Sequence, residues 1–118
     1  MSSGLGKGAR VGIRSEYAEK QFGDVTGTTL LTATRLIKLS QMAKVFYLDN
    51  STNRQIKIAV VTAEDTTFTK VDWLTIQPGR IINFELASNN LTLEAGTEVW
   101  IYAPVAPASG NLSMFTWG

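Results

Sequence analysis

Residues 45–61 read VFYLDNSTNRQIKIAVV, two apolar runs on either side of a polar segment. In the second run Ile56, Ile58 and Val60 stand at every second position. A period of two is typical of a strand with one buried face. The polar residues 50–53 suit a turn, because Asp and Asn tolerate left-handed backbone and bond their own main chain. This stretch predicts a β-hairpin.

Short apolar runs separated by turn residues continue along the chain. Pro78-Gly79 favours a type II turn, since Pro presets its own φ and Gly supplies the positive φ. Strands are predicted over residues 29–39, 45–48, 55–61, 68–76, 82–86, 91–93, 98–103 and 112–117. Seven or eight short strands with regular turn signals indicate an all-β fold. We expect an antiparallel β-sandwich of jelly-roll or immunoglobulin-like topology.

The beginning of the chain has a different composition. Residues 1–28 hold six of the ten glycines, so this segment loses much conformational entropy when it becomes ordered. Ser15 is a candidate N-cap for a short helix that runs through Gln21. We therefore expect a Gly-rich, extended N-terminal arm over residues 1–28 and a β-sandwich domain over residues 29–118.

Composition excludes several kinds of chemistry. The 118 residues include no Cys and no His, which rules out disulfides, thiolate or imidazole metal sites and imidazole-based catalysis. A net charge of +1 gives no reason to expect nucleic-acid binding. No apolar run has the length of a membrane span, and the first residues lack the apolar segment of a secretory signal. We expect a protein folded in a cytoplasm, without enzymatic activity, cofactor or metal.

Aromatic residues are the first candidates for a binding site. Trp100 and Tyr102 alternate with Val99 and Ile101, so both faces of that strand carry large apolar groups. Such a strand is either central and covered on both faces, or it offers one face to a partner. The aromatic residues also include candidates for a platform that stacks sugar rings, namely Trp73, Trp100, Tyr102 and Trp117.

Charged residues give the second set of candidates. Lys7, Arg10 and Arg14 are the only charges among the first fourteen residues, and we expect this arm to order against a neighbouring subunit. The carboxylates Glu64-Asp65 and Asp72 lack the spacing of a calcium loop, and a solvated loop is the simpler interpretation.

Two resemblances add to these interpretations. Residues 45–86 resemble many immunoglobulin-like sandwiches through the patterns Phe46-x-Leu48-x-Asn50-Ser51, Ile56-x-Ile58, Ile76-x-Pro78-Gly79 and Phe84-x-Leu86. The whole chain resembles the small β-sandwich proteins that decorate or cement bacteriophage capsids, with a Gly-rich arm, a Cys-free sandwich and a terminal strand that ends the chain. No residue motif defines the second resemblance, so it assigns no site residue.

The second resemblance implies a non-enzymatic structural protein of a phage virion, assembled in the host cytoplasm. Its partners would be a protein shell built from the major capsid protein and further copies of itself, with no nucleic acid and no membrane. The alternative is a carbohydrate-binding or receptor-binding module of a fibre or spike that uses Trp73, Trp100 or Tyr102.

Overall fold

The structure, a computed structural model, describes residues 15–86 and 92–118. These ranges contain eight strands and a 3-10 turn at Phe22–Asp24. The strands are β1 Ser15–Gln21, β2 Thr34–Lys38, β3 Val45–Asn50, β4 Ile56–Val61, β5 Val71–Ile76, β6 Arg80–Glu85, β7 Glu98–Tyr102 and β8 Asn111–Trp117.

The strands form two four-stranded antiparallel sheets. Sheet A has the order β1-β8-β3-β6, and sheet B has the order β2-β7-β4-β5. Four of the strand pairs are those that one long hairpin of the whole chain would form, namely β1·β8, β2·β7, β3·β6 and β4·β5. Rolling this hairpin into a sandwich adds two further pairs, β3·β8 in sheet A and β4·β7 in sheet B. This arrangement is a jelly roll. The predicted antiparallel β-sandwich is confirmed, and of the two topologies left open the chain adopts the jelly roll.

The core lies between the two sheets and is filled by alternate residues of the central strands. Eight of these side chains have no exposed surface: Phe46, Leu48, Ile56, Ile58, Val99, Ile101, Leu112 and Met114. Each contributes on the order of 1.5–3 kcal/mol through the removal of apolar surface from water. The central strands β3, β4, β7 and β8 therefore hold the two sheets together.

The predicted hairpin over residues 45–61 is wrong, because β3 lies in sheet A and β4 lies in sheet B. The turn between them is a corner that carries the chain from one sheet to the other. Asn50 holds it, since its Nδ2 donates to the Arg54 carbonyl at 2.9 Å and its Oδ1 accepts from the Thr52 backbone N–H at 3.0 Å. Turn chemistry predicts that the chain reverses here but does not specify the sheet that it enters.

The predicted type II turn at Pro78-Gly79 is confirmed. Gly79 has a φ of 72°, and the Arg80 backbone N–H donates to the Gln77 carbonyl at 3.3 Å. This turn also crosses between the sheets, because it joins β5 of sheet B to β6 of sheet A. The two corners lie side by side at one end of the β4–β5 pair, since the Gly79 backbone N–H donates to the Asn50 carbonyl at 2.8 Å.

The predicted helix over Ser15–Gln21 is wrong as well. These residues form β1, which pairs with β8 over its whole length, from Ser15 opposite Trp117 to Gln21 opposite Asn111. Val25 follows in the core with 1% of its surface exposed. The sandwich therefore includes residues from Ser15 onward, which the sequence analysis assigned to the arm. Residues 1–14, which carry Lys7, Arg10 and Arg14, lie outside the described residues.

Three further strand predictions extend too far. The run 68–76 is a strand only toward its end, at Val71–Ile76. Of residues 29–39 only Thr34–Lys38 are a strand. Residues 28–32 form a turn in which the Thr32 hydroxyl oxygen accepts the backbone N–H groups of residues 28 and 29 at 3.1 and 3.0 Å. In the predicted strand 91–93, Leu93 makes a single β-bridge to Ala43, and Leu91 lies outside the described residues.

Candidate functional site

The outward side of sheet A carries a row of three aromatic rings. Strand register aligns Tyr17 of β1, Phe115 of β8, Tyr47 of β3 and Asn83 of β6 across all four strands. The Tyr17 and Phe115 ring centroids are 4.7 Å apart with the planes at 54°, and those of Tyr47 and Phe115 are 6.0 Å apart at 65°. Tyr17 remains 51% exposed and Phe115 40% exposed, so the row faces solvent at the middle of the sheet.

The rows on either side complete this surface. One contains Ser15, Trp117, Val45 and Glu85, and the other contains Glu19, Ser113, Asp49 and Ile81. We call these two rows together with the aromatic row the aromatic face. Apolar groups fill its centre and three carboxylates lie around them, while none of its twelve residues is a Lys or Arg. Exposed apolar surface with a polar rim is typical of a binding site.

Hydrogen bonds fix the polar side chains at one end of the face. The Asn111 side-chain amide donates to Glu19 Oε2, and the Ser51 hydroxyl donates to Asp49 Oδ1 at 3.1 Å. Desolvation, followed by the neighbouring Glu19 carboxylate, raises the pKa of Tyr17 above its ordinary value.

Most of this surface was not predicted from the sequence. Tyr17 lies in the segment predicted as a helix, and Tyr47 was not among the candidate site residues. The alternation Tyr17, Glu19 against Ala18, Lys20 was the available signal for β1. The rings come together only through pairing between strands that are distant in the sequence, and this pairing is not apparent from local periodicity.

Trp100 and Tyr102 lie on the outward side of sheet B, away from the aromatic face. Trp100 Nε1 donates to Glu98 at 3.0 Å, and the Lys70 ammonium lies 4.5 Å from the centroid of the Trp100 ring. Tyr102 is 7% exposed, and its hydroxyl donates to Asp72 Oδ1 at 2.8 Å. Their strand, β7, lies between β2 and β4, so the central position is the one observed of the two alternatives that the sequence left open. Partner binding by these two side chains stays a prediction, and much of their surface is already covered by the chain itself.

The tryptophans predicted as a sugar platform are not brought together. Trp73 packs inward, with its ring centroid 5.1 Å from that of Phe46 and 6.0 Å from that of Phe84. Trp117 lies on the aromatic face, and Trp100 lies on the other sheet. The three indoles therefore occupy three separate environments.

The loop carboxylates have structural partners. Asp65 accepts the backbone N–H groups of Thr67 and Thr69 at 2.8 Å each, and the bonds from Thr67 lower the pKa of Asp65. Over residues 15–86 and 92–118, no three acidic, His or Cys side chains are grouped to hold a metal ion. Surface depressions beside Thr62 and Arg54 have volumes of about 180 and 280 Å³. Ligand pockets are usually larger, about 300–1,000 Å³.

None of the described helical segments is long and apolar enough to cross a membrane. No protein-family model matches the chain, and no curated protein matches it.

Several solved structures are similar to this chain. A structure from "Bacillus endospore appendages form a novel family of disulfide-linked pili" is similar over 89% of this chain and 84% of that chain, at 15% identity and a TM-score of 0.54. Hydroxypropylphosphonic acid epoxidase from S. wedmorenis is similar over 91% of this chain and 43% of that chain, at 9% identity and a TM-score of 0.41. A structure of deformed wing virus carrying the GFP gene is similar over 88% of this chain and 43% of that chain, at 7% identity and a TM-score of 0.41. The pilus structure confirms the β-sandwich, and at such an identity the likeness concerns the fold alone.

Proposed function

We propose that this chain is a non-enzymatic structural protein that binds neighbouring protein subunits through the aromatic face and forms part of a larger protein particle. The observation that carries this proposal is the row Tyr17, Phe115 and Tyr47 across one regular sheet, in which Tyr17 and Phe115 are exposed and Tyr47 is half-buried. Aromatic side chains are enriched at the centres of protein interfaces, where they bury much area at a small cost in conformational entropy. Association with another subunit removes this row from water.

The composition of the chain supports a structural role. With no Cys and no His in the sequence, nucleophilic and general-base catalysis would depend on carboxylates, hydroxyls or amines. Two of the three carboxylates that the sequence singled out are engaged elsewhere, Asp65 with its own loop and Asp72 with Tyr102. Their hydrogen bonds stabilise the fold, so they are poor candidates for acid–base chemistry.

The particle that we favour is a bacteriophage virion, whose capsid shell the protein binds and stabilises as a decoration or cement protein. Support comes from the small Cys-free sandwich with a basic arm and from the likeness in fold to a pilus protein. The pili named there are disulfide-linked. This chain has no Cys, so contact surface has to supply the whole of its binding free energy.

Carbohydrate binding is less well supported by the geometry. The rings of Tyr17 and Tyr47 are tilted by 54° and 65° against the Phe115 ring. They pack against one another and do not form a coplanar platform on which a sugar ring could stack. Such interlocked rings are suited to the side chains of a protein partner.

Light scattering of the purified protein tests the proposal. At about 100 µM we expect particles heavier than the 12.9 kDa chain, and we expect Tyr17→Ser/Phe115→Ser to return them to monomers. The control is Leu31→Ser/Val105→Ser, because these two side chains are 89% and 55% exposed and lie outside the aromatic face. A wild-type protein that stays monomeric contradicts self-association through the aromatic face, and an assembly that the face variant leaves intact contradicts the role proposed for this face.

A further inference from the structure

The aromatic face is negatively charged as well as apolar. Its ionisable groups other than tyrosine are Glu19, Asp49 and Glu85, all of them acidic. Glu19 and Asp49 each accept one side-chain hydrogen bond in the structure, from Asn111 and Ser51. A carboxylate accepts about four hydrogen bonds, so both retain capacity for a cation. Two such faces repel each other, and the chemistry of this surface calls for a partner segment that is apolar and basic.

The chain itself contains a segment of this chemistry. Residues 7–14 read KGARVGIR, with three cations, no acid and the two β-branched residues Val11 and Ile13. Residues 1–14 hold three of the eleven basic residues and none of the ten acidic ones. The remaining residues therefore carry an excess of negative charge, and the positive charge of the chain is concentrated in its first fourteen residues.

We infer that the aromatic face of one copy binds residues 7–14 of a neighbouring copy. Val11 and Ile13 contact the row formed by Tyr17, Phe115 and Tyr47. The three cations pair with the carboxylates around that row. This inference rests on the proposed function, since it names the partner segment for the same face.

The length of the segment fits this role. The four strands of sheet A span about 14 Å, from three spacings of about 4.8 Å. The eight residues 7–14 reach up to about 26–29 Å when extended. They are therefore long enough to cross a neighbouring face, and about 12–15 Å of their length remains to bridge the gap between two copies.

A neighbouring copy fits better than the same chain. Arg14 directly precedes Ser15, which stands at the end of the edge strand β1. Along β1, Glu19 is four residues from Ser15, about 13 Å away, and Glu85 is three strands away, about 14 Å. An ion pair requires a separation of about 4 Å or less. Ser15, the residue that follows Arg14, thus lies at a corner of its own face and about 13–14 Å from both carboxylates, whereas the face of another copy can be approached without this restriction.

Charge reversal in the full chain tests the inference. The arm variant is Lys7→Glu/Arg10→Glu/Arg14→Glu, and the face variant is Glu19→Lys/Asp49→Lys. We expect each to weaken self-association roughly tenfold or more, because attraction becomes repulsion. The matched control, Lys7→Arg/Arg10→Lys/Arg14→Lys, keeps every charge and is expected to assemble as the wild type does. Circular dichroism melts verify that all variants fold.

Mixing the two reversed variants gives the decisive result. Each arm then meets a face of opposite charge on the other variant, so an equimolar mixture should recover the wild-type mass in light scattering. Failure of the mixture to assemble overturns the pairing between copies, and an arm variant that assembles like the wild type overturns it as well. If the arm variant assembles while Tyr17→Ser/Phe115→Ser does not, this inference fails and the proposed function stands. If the wild type is monomeric, this inference fails together with self-association, whereas binding of the same face to a capsid shell still stands.

Discussion

Asn50 Nδ2 donates a hydrogen bond to the backbone carbonyl of Ile76 at 3.1 Å, and this bond joins the two sheets of the sandwich. Asn50 ends β3 of sheet A, and Ile76 ends β5 of sheet B. The same side chain bonds the Arg54 carbonyl and the Thr52 backbone, and none of its surface is exposed. One amide therefore satisfies the buried backbone groups of two corners at which the chain changes sheets.

Asn50→Ala is expected to lower the free energy of unfolding by about 2–3 kcal/mol, because it leaves buried backbone groups without partners. The matched control is Asn53→Ala, which removes one exposed bond to the Ala108 N–H and should cost about 1 kcal/mol or less. Urea denaturation of both variants measures the difference. Equal losses would show that Asn50 does not hold the corner in the way described.

Gly110 supports the same region from the other end of the chain. Its φ is 86°, and an added Cβ would lie 1.9 Å from the Ser51 carbonyl oxygen. Gly110→Ala should therefore cost more than about 2 kcal/mol, through both strain and steric clash. At Gly79 the φ is similar, 72°, but an added Cβ would have no atom within 4 Å. Gly79→Ala should therefore cost only the backbone strain, about 1 kcal/mol. Thermal melts that rank the two variants the other way would contradict the close approach to Ser51.

Part of the fold was predictable because its signals are local. The alternation at Ile56 and Ile58 and the turn at Pro78-Gly79 act over two to four residues, and both are confirmed. The predicted alternation is wrong at Val60, because a β-bulge after Ile58 buries Ala59 and leaves Val60 half-buried.

The pairing partner of each strand could not be predicted from such local signals. The same residue types occur in turns that join paired strands and in corners that join two sheets. The turn after Asn50 was therefore predicted to form a hairpin, although it carries the chain to the other sheet, where β4 buries its apolar side chains.

The aromatic face shows the same limit for a binding site. Tyr17 and Phe115 are almost a hundred residues apart in the sequence. They meet because β1 pairs with β8 along its whole length. An exposed edge strand with few apolar residues gives a weak strand signal, and Glu and Lys in β1 favour a helix in isolation. Long-range pairing overrode that local preference.

The two ends of the chain should tolerate truncation differently. β8 is a central strand paired with both β1 and β3, and it buries Leu112 and Met114 completely. Deleting residues 112–118 should yield aggregated or unfolded protein, since sheet A is split and a new edge is exposed. Deleting residues 2–14 removes no described residue and should leave the melting temperature of the dilute protein nearly unchanged. A soluble C-terminal truncation that melts cooperatively, or a loss of about 10 °C or more from the N-terminal one, would contradict this.

Stability should fall at alkaline pH. Burial, followed by the hydrogen bond to Asp72 and its charge, raises the pKa of Tyr102. The folded chain then holds this proton to a higher pH than the unfolded chain does. The free energy of unfolding is therefore at its full value below about pH 10 and decreases as the pH rises through the folded pKa of Tyr102.

Urea denaturation at about pH 8 and about pH 10.5 measures this change. Tyr102→Phe has no phenol to ionise at this position and should lose less stability between the two values than the wild type. The control is Tyr47→Phe, because Tyr47 lies in sheet A and the hydrogen bond to Asp72 of sheet B comes from Tyr102. If Tyr102→Phe and the wild type lose the same stability, Tyr102 is not the group responsible.

The central claim is that the aromatic face becomes buried when the protein assembles, and thiol labelling measures this burial directly. Because the chain has no Cys, Asn83→Cys places a unique thiol on the aromatic face, and Thr75→Cys places one on the outward side of sheet B. We predict that a water-soluble maleimide reacts with Asn83→Cys at least about tenfold more slowly in concentrated, assembled protein than in dilute protein, while its reaction with Thr75→Cys stays the same. Equal labelling rates of Asn83→Cys in the assembled and dilute states would contradict the claim.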